Sequence, residues 1–269
     1  MIQEKTIEVD GISTSYMEGG SGSPVVFVHG LGGYKENWET NVPVFGERHR
    51  AVALDLPGYG RSEKPDVPYG PEFFAAFLGK FMKALGIPRA HLVGNSLGGH
   101  TVSLAAALDP ATVDRLVLVD PTGSPELVAL ASGAMTVDML EAMGPTNPGE
   151  EFIRMYLSLL FFKPGEYSEK MVKRALADFE LGENEVRFRA FIGSLKGIFA
   201  HDMTPHYGKI GARTMVFWGE NDLLVPVSHA DEAAGAIPGA KKVILPECGH
   251  CPMIEKPEEF NRVVMEFLA

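Results

Sequence analysis

Three side chains that together can activate a hydroxyl stand far apart in this chain: Ser96, His250 and either Asp222 or Asp120. A serine hydroxyl is a poor nucleophile until a base takes its proton, and the base needs a carboxylate to hold it in the right tautomer. Ser96 lies in Gly94-Asn95-Ser96-Leu97-Gly98-Gly99, a G-x-S-x-G sequence between the apolar strand His91–Val93 and a helical run. Glycines suit a tight turn in which a helix packs close to a strand, and N–H groups at a helix N-terminus can stabilise developing negative charge. Of the eight histidines, His250 in Glu247-Cys248-Gly249-His250 follows the run Lys241–Leu245 and precedes the last helix. That position is the carboxyl end of a strand, where α/β sites form.

His49, His91 and His100 fall at or within regular elements and read as structural, while His201, His206 and His229 are outside candidates. For the acid, Asp222 follows the strand that ends at Trp218-Gly219, and Asp120, at the end of Val113–Asp120, is its rival. His29-Gly30-Leu31-Gly32-Gly33 follows the first long apolar strand and can aim a main-chain N–H at Ser96. Leu31 and Leu97 would then supply the two N–H donors of an oxyanion hole, with His29 orienting the loop. Asp55-Leu56-Pro57-Gly58-Tyr59-Gly60-Arg61-Ser62 is another strand-end turn and reads as loop scaffolding.

The elements that must position these residues are strands alternating with helices. Lys5–Val9 and Ile12–Met17, joined at Asp10-Gly11, read as a hairpin. Short apolar runs at Pro24–His29, Arg50–Asp55, Ala90–Gly94, Val113–Asp120, Thr214–Gly219 and Lys241–Leu245 read as buried strands. Pro71–Leu85, Leu97–Leu108 and Pro257–Leu268 read as helices, the second apolar nearly all round. This order predicts an α/β fold with a mostly parallel sheet and helices on both faces. The rhythm stops between Asp120 and Arg213. Ala134–Met143, Glu150–Phe162, Ser168–Leu181 and Glu185–Phe199 read as helices only. They predict an inserted helical cap over residues 122–205, with the core formed by 1–121 and 206–269. Met135, Met139, Met143, Met155, Phe161 and Phe162 sit at helical spacing in that cap, to hold it together or to line a pocket beneath it.

The chain has 269 residues, enough for one large domain with an insertion. Lys and Arg number 24 against 35 Asp and Glu, a net charge of −11. Such a chain has no basic footprint for nucleic acid or an anionic membrane. It opens without a basic stretch followed by an apolar one, and no apolar run approaches the roughly 18 residues of a membrane span. Two cysteines make no disulfide framework. The expectation is a cytoplasmic enzyme acting on a small molecule, with no metal, and with homo-oligomerisation left open.

Taken together, HGLGG, DLPGYGRS, GNSLGG, WGENDLLVP and GHCPMIEKPEEFN resemble the α/β-hydrolase superfamily from end to end, in its order and at its usual spacing. The resemblance implies a Ser96–His250–Asp222 triad, a helical cap and no cofactor. A serine nucleophile sets it apart from the aspartate branches, such as epoxide hydrolases and haloalkane dehalogenases. Within the superfamily it is most similar to carboxylesterases and to meta-cleavage-product hydrolases, which cleave carbon–carbon bonds. Asn95 and the run Glu259-Phe260-Asn261-Arg262 are similar to the carbon–carbon hydrolases, and Arg174 sits about where those enzymes keep an arginine for the substrate carboxylate. Cys251, however, stands where they usually carry tryptophan. Asn95, Arg174 and Cys251 are therefore candidate substrate-binding residues. The departure at Cys251 ranks ester hydrolysis, by a carboxylesterase, ahead of 2-hydroxy-6-oxo-dienoate cleavage.

Two readings come from other classes. Cys248-Gly249-His250-Cys251 is also the form of a dithiol oxidoreductase motif, which needs a thiol of lowered pKa. A non-catalytic ligand receptor could keep the same pocket, but an intact triad argues against it.

Overall fold

The computed structural model of the protein describes residues 1–123, 137–147 and 149–269. Eight strands form one sheet: β1 (Gln3–Val9), β2 (Ile12–Gly19), β3 (Pro24–Val28), β4 (Arg50–Leu54), β5 (Ala90–Asn95), β6 (Val113–Val119), β7 (Arg213–Gly219) and β8 (Lys241–Leu245). Their spatial order is β1-β2-β4-β3-β5-β6-β7-β8. β1 pairs antiparallel with β2, β2 antiparallel with β4, and the rest pair in parallel. The β1–β2 hairpin turns through Asp10 and Gly11 at φ 55° and 78°, as a two-residue turn between twisted strands requires. The expected mostly parallel sheet is present, and each expected strand overlaps an observed one.

Alternation along the strands makes two cores, one on each face. Val26, Val28, Leu116, Leu118 and Trp218 face one way, against α2 (Pro71–Ala84) and α3 (Leu97–Leu108). Val25, Phe27, Val117, Val119 and Phe217 face the other way. There they meet Trp38, Phe45 of the short α1 (Val42–Phe45), and Phe260 of the C-terminal helix Pro257–Leu268. Phe27, Trp38, Phe45, Phe217 and Phe260 are fully buried, each contributing about 2–3 kcal/mol.

Between β6 and β7 the described residues form four longer helices: α4 (Val137–Met143), α5 (Glu150–Leu160), α6 (Glu166–Glu180) and α7 (Asn184–Ala200). The helix expected from Ala134 thus begins, among the described residues, at Val137; Ala134 and Met135 lie outside them. The short α8 (Thr204–Tyr207) follows, then α9 (His229–Ala236), α10 (Pro252–Glu255) and α11 (Pro257–Leu268). The Met203 N–H donates to Gly123 O at 2.6 Å, so the helical segment leaves and re-enters the sheet at one place. Contacts with the turns at Tyr59 and Gly70 help fix α7 to the core. The Tyr59 hydroxyl donates to Ser194 Oγ at 2.7 Å, and a Cβ on Gly197 would stand 2.6 Å from the Gly70 Cα. Among the described residues, no helix is long and apolar enough to cross a membrane.

Candidate active site

Parallel register sets the carboxyl ends of β3 to β8 along one edge of the sheet. Val28 is level with Leu54 and Gly94, Asn95 with Val119, Val119 with Phe217, and Gly219 with Leu245. The residues that follow these ends are His29, Asp55, Ser96, Asp120, Asp222 and His250, the set the sequence singles out.

Ser96 is the single-residue turn between β5 and α3. Its φ of 56° and ψ of −118° are strained for a residue with a side chain, and such strain persists only where the surroundings enforce it. The enforcement is close packing: a Cβ on Gly98 would lie 2.2 Å from Val28 O, and one on Gly94 2.3 Å from Gly98 O. Only glycine lets the helix and strand approach this far. Leu97 is the first residue of α3, where an N–H has no partner within the helix. Leu31 lines the same cavity as Ser96, in a turn closed by the Gly33 N–H to Gly30 O at 3.0 Å.

His250 lies in the loop after β8 and is buried, with Nδ1 2.6 Å from Asp222 Oδ2. Asp222 Oδ1 accepts the N–H groups of Leu224 and Val225 at 2.8 and 2.9 Å. Three donors thus surround Asp222, and the two main-chain ones orient its second oxygen toward the imidazole. Of the two acids the sequence leaves open, Asp222 is the one bonded to His250. Asp120 is buried beside the pair, its Oδ1 accepting the Gly219 N–H at 2.9 Å. Ser96 and His250 face one cavity of about 420 Å³.

His29 serves the loop. Its Nδ1–H donates to Gly30 O at 2.8 Å and its Nε2 accepts the Leu56 N–H at 3.0 Å, so the ring is neutral. Burial also pushes its pKa down. Below it, the fully buried Lys35 ammonium lies 3.2 Å from Asp55 and 2.9 Å from Glu36. Asp55 also accepts the Lys35 and Arg61 N–H groups, so the turn at 55–61 braces the loop that carries Leu31. This buried pair was legible only as a charged turn.

The three candidate substrate contacts all line the cavity, with different capacities. Asn95 is buried and spends its amide hydrogens on Val119 O at 3.2 Å and His250 O at 3.0 Å. It ties the His250 loop to β5 and has no hydrogen left for a substrate carboxylate. Cys251 is buried, and burial raises its thiol pKa well above the ordinary value. It is a neutral, small wall of the cavity. Arg174 is 27% exposed, stacks 4.6 Å from the Tyr34 ring centroid and bonds Asp178 Oδ1 at 3.2 Å.

Sequence reasoning missed the partner of Arg174. Arg187 also lines the cavity and approaches the other oxygen of Asp178 at 3.4 Å. Its Nε is buried without a hydrogen-bond partner. The apolar wall also differs from the expected one. Phe152, Phe179, Phe188 and Phe191 line the cavity with Met143, whereas Met139 and Met155 are exposed and Phe161 is packed into the core. Helical spacing alone does not say which face of a cap helix meets the core.

Cys248 and Cys251 are both buried and unbridged. Burial and the neighbouring Glu255 carboxylate push the Cys248 thiol up, and its Sγ lies 3.7 Å from Glu255 Oε1. A dithiol oxidoreductase needs the opposite shift, so this motif lacks the chemistry of that reading.

The sequence pattern of the alpha/beta hydrolase fold family matches residues 23–257. The chain is 28% identical to a 2-hydroxy-6-oxo-6-(2'-aminophenyl)hexa-2,4-dienoic acid hydrolase of Metapseudomonas resinovorans, over 99% of this chain and 91% of the relative. It is also 28% identical to a 2-hydroxy-6-oxo-6-phenylhexa-2,4-dienoate hydrolase of Comamonas testosteroni, over 94% and 90% of the two chains. Among solved structures it is similar to a membrane phospholipase A, a bacterial virulence factor. That match has 29% identity and a TM-score of 0.86, over 99% of this chain and 86% of the other.

Proposed function

Because the chain belongs to the α/β-hydrolase fold family, we propose that this hydrolase uses Ser96, His250 and Asp222 to cleave a carbon–carbon bond in a 2-hydroxy-6-oxo-dienoate. The ranking drawn from sequence is thereby reversed. The absence of tryptophan at Cys251 weighed toward esters, while Arg174 also fits an exposed surface charge. The observation that carries the present reading is the placement of Arg174 in the wall of the cavity that holds Ser96. Arg174 shares the Asp178 carboxylate with Arg187 at the cavity wall, and Glu36 also faces it. Relatives acting on such dienoates, matched over nine-tenths of both chains, support the same substrate class.

In this reading residues 122–205 form the cap. The substrate carboxylate pairs with Arg174, and its apolar 6-substituent lies among the phenylalanines. The dienol must first become the keto form, which requires a firm grip on the polar end. Ser96 then attacks the 6-oxo carbon as His250 takes its proton, and the Leu31 and Leu97 N–H groups stabilise the resulting oxyanion. Collapse breaks the carbon–carbon bond, its electron pair passes through the conjugated enone to the 2-oxo oxygen, that oxygen takes up the proton from His250 to give the five-carbon 2-hydroxydienoate, and the acyl group stays on Ser96. Water, deprotonated by His250, releases the acid. Asp222 stabilises the imidazolium in both halves.

Ester hydrolysis is the second reading. It uses the same nucleophile and oxyanion hole, and the largely apolar wall of leucines and phenylalanines also accommodates an acyl chain. Incubation with 2-hydroxy-6-oxo-6-phenylhexa-2,4-dienoate tests the proposal. Formation of benzoate and a five-carbon dienoate in equal amounts is expected, and an unchanged substrate beside rapid ester turnover would refute it.

A further inference from the structure

Asp120 is fully buried at the end of β6, at a φ of 44°. Its Oδ1 accepts one hydrogen bond, from Gly219, while its Oδ2 is buried with no partner donating to it. A carboxylate oxygen left in this state is costly. One oxygen of Asp120, one of Asp222 and a ring nitrogen of His250 all lie within 4.8 Å of one another. Two buried carboxyl groups at this range do not both ionise. Asp222, with three donors, is the one that keeps the charge. Asp120, with one donor and an orphaned oxygen, is the one that keeps a proton.

We propose that Asp120 is a protonated positioning residue whose Oδ2–H donates to the Asp222 carboxylate, so that the acid of the triad is one charge held by a two-carboxyl pair. The proposal rests on Asp222 and His250 acting as acid and base. Burial and the Asp222 charge both hold the Asp120 carboxyl well above the usual carboxylate range. The other titratable groups around it are His250, Glu255, Cys248 and Cys251. Of these only His250 can become a cation, and it is paired with Asp222, so none favours a second anion. With this donor in place, Asp222 stabilises the imidazolium during turnover without taking its proton, and the Nδ1-protonated tautomer of His250 is kept.

Asparagine is the isostere of a protonated aspartate: its oxygen can accept from Gly219 and its amide can donate to Asp222. Infrared spectra at neutral pH test the proton directly. The expected result is a protonated-carboxyl carbonyl band in the wild type, absent in Asp120→Asn and retained in Glu255→Gln. A wild type without the band, or an Asp120→Asn variant that keeps it, overturns the proposal. This arm needs no turnover, so it is independent of whether the triad assignment holds.

Kinetics test the positioning role. Asp120→Leu removes the donor and should lower kcat at least about tenfold while KM changes less than about twofold. Asp120→Asn should recover most of the lost kcat. A KM that rises as much as kcat falls in Asp120→Leu, or no recovery in Asp120→Asn, overturns the role.

Discussion

The main-chain N–H of His250 donates to the carbonyl oxygen of Leu160 at 2.7 Å, joining the loop after β8 to the last residue of helix α5. Beside this bond, Glu255 accepts the Gly249 N–H at 2.7 Å with one oxygen and the Phe162 N–H at 2.8 Å with the other. One half-buried carboxylate therefore fastens the helical segment to the active-site loop. Glutamine offers one acceptor where two are used. Glu255→Gln is expected to cost about 1–3 kcal/mol in urea unfolding at neutral pH, for the N–H left unsatisfied. An unchanged midpoint would remove Glu255 from this role.

The triad makes a sharper prediction. Ser96→Ala and His250→Ala should each lose at least about 10³-fold in kcat with little change in Tm. Asp222→Asn should be severely impaired, because the amide carries no charge to stabilise an imidazolium and its N–H2 favours the wrong tautomer of the ring. If Asp222→Asn stays near wild type while Asp120→Asn is inactive, the acids have been exchanged.

The paired cysteines should be inert. Both thiols are buried and held protonated, and the thiolate is the reactive form. Mild oxidant is expected to leave kcat unchanged in the wild type and in the Cys248→Ser/Cys251→Ser variant alike. Reversible inhibition of the wild type alone would instead reveal a bridge that displaces His250.

His100 predicts a pH dependence of stability. Its ring is buried in α3, with Nε2 2.8 Å from His201 Nδ1. Burial, then the neighbouring His201 and His206, push its pKa down to about 3. The unfolded chain therefore binds this proton first as pH falls. The stabilising effect is full above about pH 6.5 and is lost progressively toward the folded value; at pH 5 the loss is about 2 kcal/mol. Urea unfolding of the wild type and His100→Phe across pH 7.5 to 5 measures it, and equal slopes would contradict the assignment.

Much of this was legible in the chain because the signals are local. Alternation marks the β1–β2 hairpin, short apolar runs bounded by turns mark the other six strands, and Gly94, Gly98 and Gly99 around Ser96 mark a turn that only close helix–strand packing explains. His250 followed from its place after the last strand. The resemblance implies Asp222 rather than Asp120; the fold adds the physical difference, since both follow strands on the same edge and differ in the donors that surround them. Asn95 reads as a polar group before the nucleophile, yet its amide is committed to main-chain acceptors from β6 and the His250 loop. Arg174 and Arg187 are 13 positions apart on two helices, and nothing in their spacing announces the aspartate they share. The cap was the least legible part, because its inner face depends on how the helices pack over the sheet.

Carbon–carbon cleavage with Arg174 at the substrate carboxylate is measured by kcat/KM of wild type and Arg174→Ala on a 2-hydroxy-6-oxo-6-phenylhexa-2,4-dienoate and on a p-nitrophenyl ester that has no carboxylate. The expected result is a dienoate kcat/KM at least about tenfold above that of the ester. Arg174→Ala should lose more than about 2 kcal/mol of transition-state stabilisation on the dienoate and little on the ester. An ester preference in the wild type, with Arg174→Ala unchanged on both substrates, would contradict the account.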